Sequence, residues 1–152
     1  MRDTIMRGVI AGAVATPVQA GLNWAWFFIG LADSTLTQLF ARALLIIPPG
    51  RAVTLGENIV GLVGHFIIGL LFAVIISYII RYSGWDYYLI KGVGTGMLIW
   101  AIHLGLLPYL AQMPMARPVP VAMLHLLDHG IWGLLTVYML RVFSRERIIS
   151  DK

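Results

Sequence analysis

Apolar residues fall into four long blocks separated by short polar clusters. The blocks cover residues 5–31, 58–80, 88–111 and 119–143. Each exceeds the roughly 20 helical residues needed to cross a hydrocarbon core of about 30 Å. The pattern predicts an all-α protein, an integral membrane four-helix bundle forming one transmembrane domain over residues 1–152. Between spans one and two lies DSTLTQLFARALLIIPPGRAVTLGE. Ser34 or Thr35 is placed there to cap a short helix over about 35–46. Pro-Pro-Gly at 48–50 stops it, because proline neither donates to the helical ladder nor continues it. Arg42 is the only charge in the middle of this stretch. The short helix is therefore expected to lie at the interface or dip into the protein.

Arg2 and Arg7 precede an apolar run containing AVA, which raises a signal peptide as one reading of the N-terminus. The run continues through NWAWFFIGL, so a retained membrane anchor is expected. Composition agrees with the spans: 59% of the residues are hydrophobic and 12% charged, where a soluble domain carries about 25% charged residues. The chain has no cysteine, which excludes a disulfide framework, a thiolate metal site and a cysteine nucleophile.

The formal charge of +4 is explained by topology. With a cytoplasmic N-terminus, the cytoplasmic side holds Arg2, Arg7, Arg81, Lys91, Arg141, Arg145, Arg147 and Lys152. The opposite side holds only Arg42, Arg51 and Arg117. The positive-inside rule then places both termini in the cytoplasm, and no nucleic-acid partner is needed. The partner expected from the pattern is the lipid bilayer, with a homo-oligomer or subunits of a membrane complex as further candidates. Trp24 and Trp26 near one boundary, and Tyr82, Trp85, Tyr87 and Tyr88 near the other, read as interfacial anchors. The basic segment RVFSRERIISDK reads as a helix end touching anionic headgroups.

The polar residues inside the spans are the candidate chemistry. LHLLDHGIWG at 124–133 sets His125, Asp128 and His129 in a membrane span, where an ionisable group costs about 2.5–3.5 kcal/mol on insertion scales unless it finds partners. Counted from the outer end of each span, His65, His103, His125 and His129 fall within a layer about 6 Å thick. Asn23 lies at the same depth, Gln19 one turn further in. His125 and His129 share a helix face, as do Gln19 and Asn23. Glu57 is about two turns above His65, at the water boundary and outside the site. Gly8/Gly12 and Gly92/Gly96 form G-xxx-G pairs that permit close helix approach. Pro17 and Pro108 are candidate kinks.

Four readings of this layer stay open. Neutral imidazoles suit a transition metal such as zinc, iron, copper or nickel. His65, His103, His125 and His129 would then be the ligands, completing a tetrahedron, with Asp128 orienting one of them. Two facing imidazoles would alternatively hold a b-type haem, Gly64 and Gly130 leaving room for the macrocycle. A His–Asp relay handling protons or a solute is the third reading. A hydrogen-bonded network in an accessory or assembly subunit, without catalysis, is the fourth. Enzyme chemistry finds little support: there is no phosphate-binding loop, no G-x-S-x-G and no H-E-x-x-H. GVGTGM at 92–97 has glycines but no strand before it.

HFIIGLLFAVIISY from His65, KGVGTGMLIWAIHLGLLP over 91–108, and HGIW at 129–132 together resemble the YagU-like family of bacterial inner-membrane proteins. PPGR at 48–51 resembles that family's Pro-Pro-Arg stretch, with Gly50 inserted. The resemblance covers most of spans two to four and part of span one. It implies a bacterial plasma-membrane location and supplies no substrate, since the family has no assigned biochemical function. It also implies that His65, His103 and His129 stand on family histidines. His125 stands where the family has glutamate, an exchange that keeps a potential metal ligand. Gln19 and Asn23 stand where the family has lysine and glutamate, so a role needing charge on the first span does not carry over.

Overall fold

The computed structural model describes residues 3–48, 50–106 and 118–150, with side chains in the last helix as far as 144. Helix α1 spans Thr4–Phe28, α2 Leu36–Leu45, α3 Leu55–Ser83 and α4 Tyr88–Ala101. A π-helical segment, Ile102–Leu106, extends α4, and α5 spans Val119–Ser150. Four of these stretches are long and apolar enough to cross a membrane: α1, α3, α4 with its extension, and α5 over Val119–Ser144. Large apolar side chains including Ile67, Leu71, Ile75 and Leu98 stay exposed on them, as lipid-facing residues do. Leu107 to Ala111 of the third apolar block, with Pro108, lie outside the described residues, as do Arg2, Arg117 and Lys152. So does Pro49 of the Pro-Pro-Gly stop.

Local chemistry sets the helix ends. Asp3 caps α1 by accepting the Met6 N–H at 2.9 Å, and Pro17 sits inside that helix. Thr35, one of the two expected caps, starts α2 in a reciprocal capping box with Gln38. The helix stops at Ile46, whose φ of 52° is left-handed and strained for a β-branched residue, just ahead of Pro48. Thr54 and Glu57 form a second capping box at the start of α3. Glu57 also pairs with Arg51, so it belongs to the helix end and not to the histidine layer. Lys91 donates to the carbonyls of Ser83 and Gly84, giving the C-terminus of α3 a cation.

Helix α1 packs on α3 and α5, α4 packs on α5, and α2 lies on α3. The central core contains Ala11, Ala15, Ala73, Ile76, Ile99, Trp132 and Val137. Both glycine pairs are contact surfaces. A Cβ at Gly8 would meet the backbone of Val74 on α3. One at Gly96 would meet the His129 carbonyl, and one at Gly133 the Gly92 carbonyl. Bare backbones thus bring α4 against α5 at the level of His129. Gly61 does the same for α2, whose Thr37 carbonyl and Ala41 occupy the space a side chain would take. As a result α2 dips into the bundle: Thr35, Leu36 and Thr37 are buried. The Arg7–Ser144 contact places the start of α1 beside the C-terminal part of α5, at one end of the bundle.

Candidate functional site

Two adjoining groups of polar side chains lie in the half of the bundle away from that end. The first is centred on Asn23 of α1. Its Oδ1 accepts the backbone N–H of Leu36, the first residue of α2, at 2.6 Å. This fixes the amide orientation, so Nδ2 faces α5. There it donates to Asp128 Oδ2 and to His125 Nδ1, each at 3.0 Å. Asp128 Oδ1 accepts the indole N–H of Trp26 at 2.8 Å. Asn23, His125 and Asp128 are at most 1% exposed.

These contacts decide the proton positions. An amide nitrogen can only donate, so His125 Nδ1 accepts, and a neutral ring carries its hydrogen on Nε2. His125 Nδ1 stands 4.0 Å from Asp128 Oδ2, too far for a hydrogen bond. The Asn23 amide joins the two groups. They form a polar triad and not an ion pair.

The second group is made of imidazoles. His129 Nδ1 lies 2.7 Å from the His125 carbonyl one turn back. A carbonyl only accepts, so this nitrogen carries the hydrogen and Nε2 of the neutral ring keeps the lone pair. The His103 ring meets that of His129 edge to face, with centroids 6.1 Å apart. Phe40 of α2 packs against both His103, at 4.8 Å, and His65, at 5.4 Å. Nδ1 of buried His65 has no hydrogen-bond partner among the described residues. His103 lies in the π-helical segment, a form of backbone that recurs at functional sites because it re-aims side chains.

The polar residues expected to share one layer fall into two groups. His65 and His103 pack against Phe40 and His129 meets the His103 ring, while His125 belongs with Asn23 and Asp128. Among the described residues, no group of three or more His, Cys, Asp or Glu side chains is placed to hold a metal ion. Gln19 is buried one turn from Asn23, but its Nε2 finds no hydrogen-bond partner there. Trp26, read from the sequence as an interfacial anchor, is a hydrogen-bond donor to the buried aspartate. Its signal was legible: Gln19, Asn23 and Trp26 follow i, i+4, i+7 spacing along one face. Trp132 also reaches across the bundle, donating to Thr16 Oγ1 at 3.1 Å. Neither Phe40 nor the Leu36 amide carried a comparable signal.

Comparison with protein-family models, characterised proteins and solved structures returns no match.

Proposed function

We propose that this chain is a non-catalytic, multi-pass membrane protein, an accessory or assembly subunit, whose polar layer locks α2 inside the bundle. One observation carries the reading. The Asn23 amide spends its acceptor on α2 and both of its donors on α5. In hydrocarbon no water replaces such partners, so the network specifies where the short helix sits. On this reading the termini face the cytoplasm of a bacterial plasma membrane. Their end of the bundle carries Arg7, Arg81, Lys91 and Arg141, against Arg42 and Arg51 at the other end.

A second reading has its own support. The unpaired Nδ1 of His65 and the lone pair left on His129 Nε2 favour a transition-metal ion, zinc, iron or copper, on His65, His103 and His129, whose rings are not placed to hold it as they stand and would have to turn towards one another. His125 would stand outside that ligand set, acting through Asn23. The same three histidines carry the resemblance to the YagU-like family, so membership of that family belongs to this proposal. A b-type haem would draw on the same rings.

Elemental analysis and an absorption spectrum separate the readings, on protein purified without a histidine tag or chelators. The first reading expects no stoichiometric metal and no Soret band, with His129→Ala still folded. A stoichiometric metal lost in His129→Ala would replace it with the metal site, and a Soret band lost in the same variant with haem.

A further inference from the structure

The opposite end of the bundle holds a cleft that the polar layer does not use. Helices α1, α3 and α5 leave a cavity of about 480 Å³ there, lined by Arg7, Arg81, Ser77, Ile80, Trp85 and Leu140 among others. Two guanidinium groups line this one space. Among the described residues neither lies within ion-pair distance of a carboxylate. The nearby Asp3 carboxylate is engaged with the Met6 N–H. Arg81 donates to Thr4 Oγ1 at 2.9 Å and Arg7 makes a long contact of 3.4 Å to Ser144 Oγ. Each guanidinium has five N–H donors, so most remain for an incoming group. The Ser77 and Ser144 hydroxyl hydrogens are spent on the carbonyls of Thr4 and Leu140, so the arginines are the donors here.

We propose that this cleft binds a phosphate group, supplied by the headgroup of an anionic phospholipid. Phosphate oxygens match the planar fork of arginine and would offset two like charges brought into one cavity. Basic pockets between helices at a membrane face take lipid headgroups in this way. The walls favour a lipid over a soluble phosphate compound. Ile80 and Leu140 are buried and apolar, and they give the glycerol and first methylenes a surface that free phosphate does not need. Arg141 lies at the same end, its guanidinium 5.1 Å from the Trp85 ring centroid and 5.8 Å from that of Tyr88. This placement adds positive charge at the rim without filling the cavity.

Native mass spectrometry of the full chain released from neutral detergent tests the proposal. Phosphatidylglycerol, phosphatidylcholine, or inorganic phosphate as competitor would be added in turn. The expected result is retained phosphatidylglycerol on the unaltered chain. That population should fall about tenfold in R7Q/R81Q, as loss of charge-assisted hydrogen bonds predicts, with phosphatidylcholine adducts unchanged. R81Q alone alters an exposed side chain, and its intact fold, checked by circular dichroism, keeps the result readable should the double variant fail to fold. Equal retention of the two lipids, or full phosphatidylglycerol preference in folded R81Q, would overturn the site. Displacement of the lipid by millimolar inorganic phosphate would overturn the lipid as the source.

Discussion

The two polar regions of this bundle treat the same problem in opposite ways. In the layer around Asn23, polar atoms at membrane depth are turned on one another: an amide, a carboxyl group, an indole and a backbone N–H close a network across α1, α2 and α5. In the cleft between Arg7 and Arg81, charges converge with most of their donors unspent. Depth explains the difference. Where water is absent, an unpaired polar group costs several kcal/mol, so the partner must come from the protein itself. At the boundary, water satisfies a guanidinium until a ligand arrives, and an incomplete shell is tolerated. On the two proposals made above, the closed network holds structure and the open cleft binds.

The comparison is most exposed to failure at Asn23. Asn23→Ala leaves the Leu36 N–H without its acceptor and removes a donor from both His125 and Asp128. At about 1–3 kcal/mol for each buried group left unsatisfied, the expected loss is about 3 kcal/mol or more in denaturing-detergent titrations. The α2 amides should also exchange with deuterium faster. A loss below about 1 kcal/mol would mean that the network is not a lock.

Gly96→Leu tests the packing that brings the imidazoles together. Its side chain would meet the His129 carbonyl, and backbone there has little freedom to move. Overpacking of this kind costs about 1–3 kcal/mol, and unfolding at lower denaturant is the expected readout. Unchanged stability would show that α4 does not depend on this contact with α5.

The smallest effect is expected at the other end. Arg81→Gln should leave stability within about 0.5 kcal/mol of the parent, as for most surface substitutions. A loss comparable to that of Asn23→Ala would make the cleft structural and erase the contrast between the regions.

Much of the fold was legible in the order of residues. Hydrophobic length marked four spans, and Thr35 with the nearby prolines marked a short helix between the first two. Periodicity put His125 with His129, and Gln19 with Asn23, on shared faces. An expected common depth for the histidines also followed from counting along each span. Their partners did not. A residue's depth depends on its own helix, whereas its neighbour depends on how two helices are rotated against each other. Asn23 and His125 are 102 positions apart, and no local rule says which atom of one meets which atom of the other.

The order of residues was enough to mark an apolar helical protein with four helices long enough to cross a membrane. Packing decided how the polar residues are grouped: His65 and His103 against Phe40 with His129 beside His103, and His125 held with Asp128 by a single amide. It also decided that Arg7 and Arg81, 74 positions apart in the sequence, line one cleft. Glycine contacts set those choices physically, because the bare faces at Gly61, Gly96 and Gly133 fix how closely the helices approach and which side chains can then reach across.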